Sequence, residues 1–156
     1  MITVLAFGGF LIVLGVVFGL TPGILQKIVE FFCDFTGQPY PVDQGTIVLP
    51  APANPAVHMD VYGAVFNFMV GMGVLQVVIL ALRLIVYSPF RRIVETVGNL
   101  VLWWGGAVAV NVFLLTGTLV GWFNFWAVLI IFWGVSLVIR GIIHLIWSWR
   151  KHDFWR

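Results

Sequence analysis

The fold is decided by the stretch VYGAVFNFMVGMGVLQVVILALRLIV, which runs from Val61 to Val86 and contains Arg83 as its only charged residue. A helix over this stretch is about 39 Å long at 1.5 Å per residue. That length exceeds the roughly 30 Å of hydrocarbon in a lipid bilayer. The stretch therefore predicts a helix that crosses a membrane.

Three further apolar segments of similar character occur at residues 3–20, 92–116 and 122–147. The first of them has no basic residue ahead of it, since Lys27 is the first Lys or Arg of the chain. A cleaved signal peptide normally has a basic start, so we expect this segment to be retained as a span. The sequence predicts an all-α polytopic membrane protein, with four transmembrane helices in an antiparallel bundle that form one domain over residues 1–156.

The composition excludes several classes of protein. The chain is 62% hydrophobic and 9% charged, and its mean hydropathy is +1.08, whereas soluble domains are about half apolar and about a quarter charged. A soluble enzyme is thereby excluded. The formal charge of +2 is too small for a protein that tracks nucleic acid. The single cysteine excludes an internal disulfide framework and a zinc site with several cysteine ligands.

Residues 21–60 are predicted to form an outer cap between the first two spans. The pairs Thr21-Pro22 and Ser88-Pro89 have the pattern of a helix start, with a hydroxyl cap before proline. A short amphipathic helix is expected after Pro22, because apolar and polar side chains alternate at helical spacing. Its apolar positions are Ile24, Leu25, Ile28, Val29, Phe31, Phe32 and Phe35. Such a helix lies either at the membrane surface or against the other helices of the same protein.

The rest of this cap is rich in proline, with Pro39, Pro41, Pro50, Pro52 and Pro55. Proline at this density prevents a helix of any length. We expect an extended outer loop that serves as a lid or a partner-binding segment. Within it, residues 46–49 have the composition of a short strand.

Basic residues predict the orientation of the spans, because cytoplasmic loops collect Lys and Arg. With four spans, the amino terminus, the turn at Ser88 and the carboxyl tail lie on one side. That side holds Arg83, Arg91, Arg92, Arg140, Arg150, Lys151 and Arg156. The other side holds only Lys27. We therefore expect both termini to be cytoplasmic and residues 21–60 to be extracytoplasmic.

Small residues are expected where the spans pack, because close backbone approach drives helix association in lipid. The first two spans each have a face of such residues, and these two faces are predicted to meet. The predicted helix-packing residues are Gly8, Gly15, Gly19, Gly63, Asn67 and Gly71. The alternative is that each glycine only makes room for a neighbouring Leu or Phe. Gly105 and Gly106 predict a second close contact in the third span.

One layer of polar side chains is predicted near the cytoplasmic ends of the spans. Residue counts from the turn at 88 and from a turn near 119 bring Arg83 and Arg140 within about 3 and 4.5 Å of the level of Glu95. We expect Arg140 and Glu95 to pair, with Arg83 completing the cluster or reaching the headgroups. The predicted intramembrane polar cluster is Arg83, Glu95, Asn99, Ser136, Arg140 and His144. This layer is interpreted either as a staple between helices or as a proton or anion relay in which His144 titrates.

No catalytic motif is present, whether GxGxxG, P-loop, HExxH or CxxCH. We therefore expect no enzymatic activity, no metal and no cofactor beyond bound lipids. The first hypothesis is a non-catalytic membrane subunit, whose partners are lipids and other membrane subunits or copies of itself. The second is a small oligomeric channel or transporter with a charged cytoplasmic vestibule, and the weakest is a quinone- or haem-associated subunit that uses His144.

Overall fold

The computed structural model describes the backbone of residues 2–43 and 45–153, and side chains within residues 4–43, 45–143 and at position 145. The chain is mostly helical, at 79%. In chain order the elements are α1 (Ile2–Leu20), α2 (Ile24–Cys33), β1 (Phe35–Val42), β2 (Gly45–Pro52), α3 (Met59–Ile85), α4 (Phe90–Phe113) and α5 (Leu119–Asp153). A 3-10 turn at Pro55–His58 lies between β2 and α3, and another at Leu114–Thr116 lies between α4 and α5.

The predicted spans at 3–20, 61–86, 92–116 and 122–147 coincide, to within a few residues, with α1, α3, α4 and α5. Within the described residues, three helices are long and apolar enough to cross a membrane. A fourth crossing is possible if α1 and α2 together form one span, although they are bent by 83°. Among the long helices, α1 packs on α3, α3 packs on α4, and α4 packs on α5. The chain is thus a helical protein with the dimensions of a membrane protein.

The two helices expected at proline begin slightly later than predicted. Gly23 precedes α2 with φ of +69°, a left-handed conformation that glycine adopts without a steric penalty. This residue lies in the bend between α1 and α2, so α2 begins at Ile24 rather than at Pro22. Pro89 is the N-cap of α4, which begins at Phe90.

The predicted proline-rich loop is instead a β-hairpin. Strands β1 and β2 pair antiparallel, with Phe35 opposite Pro52, Gln38 opposite Leu49 and Val42 opposite Gly45. Each strand of a two-stranded sheet has one edge without a partner strand. Proline has no N–H to donate, but where its nitrogen faces this free edge no hydrogen bond between the strands is lost. The expectation of an all-α chain with an irregular loop was therefore wrong in this segment, although residues 46–49 do lie in a strand.

The hairpin and α2 pack around the ring of Phe31 where α3 and α5 begin and α4 ends. This ring is buried and lies 5.1 to 6.0 Å, between centroids, from the rings of Phe35, His58, Tyr62 and Trp122. Ile24 and Phe31 are the buried residues of α2. The amphipathic helix therefore packs on the rest of the protein.

Helices α1 and α3 meet through glycine, but only partly through the predicted ones. A Cβ on Gly71 would lie 2.7 Å from Val13, and a Cβ on Gly9 would overlap Leu75. Asn67 is exposed. No described atom lies within 4 Å of a Cβ built on Gly8, Gly15, Gly19 or Gly63. The predicted stripe on α1 was wrong by one residue, which is a rotation of about 100° about the helix axis.

The second predicted glycine contact is present in α4. A Cβ on Gly105 would overlap the ring of Phe132 in α5, and one on Gly106 would lie 2.8 Å from Met69 Sδ in α3. Gly105 therefore lies in the interface with α5 and Gly106 in the interface with α3, because consecutive helical residues point about 100° apart. This pair lets α4 approach both of its neighbours closely.

Candidate functional site

Two groups of polar side chains lie at opposite ends of the helices. The first, which we call the inner polar layer, consists of Arg83, Thr96, Gly98, Asn99, Ser136 and Arg140. The second, which we call the cap cluster, consists of Asp34, Asn54 and His58. Both combine side chains from separate elements, and each joins residues that are far apart in the sequence.

The inner polar layer joins α4 and α5 through a buried hydroxyl. Ser136 Oγ donates to the carbonyl oxygen of Gly98 at 2.8 Å, and Ser136 is buried. A Cβ on Gly98 would collide with the side chain of Arg140. The absence of a side chain at Gly98 allows the Ser136 hydroxyl to reach the α4 backbone and the Arg140 side chain to lie close against α4.

Arg140 is bound to an amide and not to the predicted carboxylate. Its Nη2 donates to Asn99 Oδ1 at 2.6 Å. Its Nε is buried and finds no hydrogen-bond acceptor in the described part of the chain. Glu95 instead pairs with Arg91 on its own helix, with 3.3 Å between Nε and Oε1. The predicted pair of Arg140 and Glu95 was therefore wrong.

The direction in which helical side chains point explains this outcome. Ser136 faces Gly98, so Arg140, one turn further along α5, lies near the level of Glu95 on antiparallel α4. Cα–Cβ bonds tilt toward the amino terminus of their own helix. The side chain of Arg140 therefore extends deeper into the protein, toward Asn99, while that of Glu95 extends toward Arg91 at the start of α4. The predicted levels were correct, but the two side chains diverge.

Arg83 lies near the end of α3 and contacts α4 on another face. Its Nη1 donates to the carbonyl oxygen of Arg92 and to the hydroxyl of Thr96. Thr96 also donates to the Arg92 carbonyl at 2.8 Å, and its exposure is only 1%. Arg83 Nε is buried and has no acceptor among the residues that the structure describes. Sequence reasoning missed Thr96, although it falls between Glu95 and Asn99 and one turn after Arg92.

The structure thus brings together three of the six residues of the predicted polar cluster. Asn99, Ser136 and Arg140 lie between α4 and α5, whereas Arg83 lies between α3 and α4. Glu95 is turned toward Arg91. The side chain of His144 lies outside the described residues, and the relay that uses it stays a prediction.

An open cleft of about 440 Å³ lies where α3 ends and α4 begins. It is lined by Arg83, Arg91, Arg92 and Glu95. Three guanidinium groups thus surround this space with one carboxylate. The turn between α3 and α4 therefore presents a positively charged opening.

The cap cluster is centred on the carboxylate of Asp34. Its Oδ2 accepts the backbone N–H of Asn54 at 2.8 Å and lies 3.0 Å from Nε2 of His58, which is 7% exposed. The Asn54 N–H, and then the His58 imidazole, hold the pKa of Asp34 below its ordinary value of 3.8. The carboxylate thereby joins the end of α2, the end of the hairpin and the start of α3.

The sequence offered one signal for this cluster that we did not use. Asp34 and His58 stand on either side of the proline-rich segment, so a hairpin in that segment brings them together. A second contact between the same elements is the ion pair of Lys27 Nζ with Asp60 Oδ2, at 2.7 Å. Together the two pairs fix α2 and the hairpin on the start of α3.

Two apolar grooves flank the cap cluster. The first, of about 340 Å³, lies between α1, α2 and α3 and is lined by residues such as Leu14, Val17, Ile28 and Val65. The second, of about 570 Å³, lies between the hairpin and α5 and is lined by Phe31, Phe32, Phe35, Leu49, Pro50, Trp122, Phe123 and Trp126. Both grooves are apolar surfaces suited to acyl chains or apolar side chains.

No family model, curated protein or solved structure matches the chain. Among the described side chains, no three His, Cys, Asp or Glu residues come close enough to hold a metal ion together. Function is therefore inferred from the residues and their geometry alone.

Proposed function

We propose that the protein is a non-catalytic membrane subunit, either a structural or accessory component of a larger membrane complex or a homo-oligomer. The observation that carries this proposal is the folded outer cap. Its hairpin leaves Ile47 and Val48 exposed, Val48 to 72%, at the outer end of the helices. Contiguous apolar surfaces outside a membrane are typical of sites that another polypeptide covers, and the groove between the hairpin and α5 is such a surface.

The inner polar layer supports the same proposal. Asn99, Gly98 and Thr96 are each engaged by a side chain of a neighbouring helix. Polar contacts of this kind commonly orient helices within a membrane. In this proposal the layer fixes α3, α4 and α5 relative to one another, so that the cap is held in one position.

The single cysteine allows a direct test. Cys33 is exposed in the cap, and a photocrosslinker attached there reports what the cap contacts in native membranes. The matched control is Cys33→Ser combined with Tyr87→Cys, because Tyr87 is 94% exposed at the inner ends of the helices. We expect the reagent at Cys33 to give one discrete protein product, and the control to give none. Cross-linking from Cys33 to lipid alone contradicts the proposal.

The proposed orientation is tested with the same two cysteine positions. We propose that both termini are cytoplasmic, which positions the cap outside the cell. A membrane-impermeant maleimide should then label Cys33 in intact cells, while Tyr87→Cys in the Cys33→Ser background should react only after lysis. The opposite pattern reverses the topology without affecting the subunit proposal.

A second candidate function is a small oligomeric channel or transporter. The observation that favours it is the basic cleft of Arg83, Arg91, Arg92 and Glu95, which resembles the entrance of an anion path. Purified protein in liposomes should then conduct anions, and Arg92→Gln should lower the anion flux. Absence of flux from a homogeneous reconstituted protein favours the subunit.

A further inference from the structure

The basic cleft at the turn between α3 and α4 has the composition of an anion site. Arg83, Arg91 and Arg92 line it with Glu95, which gives the four side chains a net charge of +2. Arg91 forms the cleft's ion pair with Glu95. The guanidinium of Arg92 is exposed, and no carboxylate of the described chain pairs with it.

Arg83 provides the fixed part of this cleft. Its Nη1 is held by the Arg92 carbonyl and the Thr96 hydroxyl, so the guanidinium is oriented before any ligand arrives. Its buried Nε has no acceptor among the described atoms. Guanidinium groups present several donors in a planar fork that matches phosphate oxygens. A phosphate is therefore the anion that suits these side chains best.

The depth of the cleft indicates where that phosphate comes from. Helix α3 has 27 residues and is therefore about 40 Å long at 1.5 Å per residue. The hydrocarbon layer is roughly 30 Å thick and headgroups extend the bilayer to about 40–45 Å. Arg83 is two residues from the end of α3, and Arg91 and Arg92 are in the first turn of α4. With α3 spanning the bilayer, as the proposed function requires, all three fall at the level of lipid phosphates.

We infer that this cleft binds the phosphate headgroup of an anionic phospholipid. Basic pockets between membrane helices are typical headgroup sites. The acyl chains of such a lipid would lie along the apolar surface of α3 beneath the cleft, where Val74, Val77 and Val78 precede Arg83 and are exposed. A lipid thus satisfies both the charges of the cleft and the apolar surface next to it, whereas free phosphate satisfies only the charges.

Native mass spectrometry of the purified full chain tests this site, with phosphatidylglycerol and phosphatidylcholine titrated separately. We expect the unmodified protein to retain phosphatidylglycerol more tightly. Loss of one arginine near the membrane surface should lower that affinity about fivefold. The double variant Arg91→Gln/Arg92→Gln should therefore lower it about 25-fold. Both side chains are exposed, so the fold should persist. Glu95→Gln should raise the affinity, because it removes the one negative charge of the cleft.

The matched control is Lys27→Gln, which removes one positive charge at the opposite end of α3 and should leave lipid affinity unchanged. Equal retention of the two lipids by the unmodified protein overturns the proposal. An equal loss in Lys27→Gln and in the double arginine variant does so as well. Displacement of phosphatidylglycerol by equimolar inorganic phosphate indicates a free-phosphate site and rejects the lipid as ligand.

Discussion

The cap cluster and the inner polar layer satisfy their charged groups in different ways. In the cap, the carboxylate of Asp34 accepts from Asn54 and His58, which are 20 and 24 residues away along the chain. In the inner layer, Arg140 donates to Asn99, which is 41 residues away, and its Nε has no acceptor in the described chain. The carboxylate of Asp34 thus finds its donors within the cap cluster, whereas Arg83 and Arg140 each retain a buried Nε that no described group accepts.

This difference follows from what each region does for the fold. A hairpin brings its own two ends together, so Asp34 before β1 lies next to Asn54 after β2, and the short 3-10 turn that follows brings His58 to the same carboxylate. The inner layer depends on the register between two helices, and a long side chain adapts its direction to the groups it finds. The contacts of the cap are therefore set mainly by the local chain fold. The partners in the inner polar layer depend instead on how α3, α4 and α5 pack.

The largest expected effect comes from removing the ring on which the cap packs. Phe31→Ala deletes a buried ring that contacts Phe35, His58, Tyr62 and Trp122. We expect the free energy of unfolding in detergent to fall by about 3–5 kcal/mol, as for other buried aromatic residues. Thermal unfolding followed by circular dichroism measures this loss. The control is Phe32→Ala, since Phe32 is 66% exposed, and an equal loss in both variants contradicts a specific role for Phe31.

The second-largest effect tests the hydrogen bond between Arg140 and Asn99, which the structure has in place of the predicted ion pair of Arg140 and Glu95. Asn99→Ala removes the acceptor of Arg140 and leaves a part-buried guanidinium without its partner, at an expected cost of about 1–3 kcal/mol in unfolding free energy. The double variant Asn99→Leu/Arg140→Met removes both groups and should recover most of that loss. Additive losses in the double variant would show that the two side chains are not coupled.

The cap cluster should give a smaller effect that depends on pH. The pKa of Asp34 lies below 3.8 in the folded protein, so its contribution to stability is complete well above pH 3.8. That contribution is lost as the pH falls through 3.8 toward the lower folded-state pKa. The melting temperature of Asp34→Asn should therefore lie below that of the unmodified protein near neutral pH, and the gap should close in acid.

The control for this pH dependence is Asp43→Asn, because Asp43 is exposed in the turn of the hairpin. Its melting temperature should follow that of the unmodified protein at every pH. A gap between Asp34→Asn and the unmodified protein that is constant down to pH 2 would rule out the carboxylate of Asp34 as the titrating group.

Much of the helical fold follows from the sequence, because apolar runs such as residues 61–86 have one stable conformation in lipid. The hairpin was not predicted, since proline is normally read as a strand breaker and only an unpaired edge tolerates it. The face of α1 that meets α3 was wrong by one residue, because Gly8 lies about two helical turns before Gly15 and so fits the glycine stripe, whereas the contact with Leu75 is made at Gly9. In the polar layer, residue counting gave the correct levels, while the partner of Arg140 depended on side-chain direction.

The smallest expected effect concerns Glu95, the residue on which the predicted ion pair depended. Glu95 contacts only Arg91 among the charged side chains described, and the two side chains are 46% and 80% exposed. An exposed pair one turn apart contributes about 0.3–0.5 kcal/mol. Glu95→Gln should therefore change the unfolding free energy by about 0.5 kcal/mol or less, far below the effect of Asn99→Ala. If the two variants lose equal stability, Arg140 contacts the carboxylate of Glu95 in the membrane, and the inner layer is an ion pair after all.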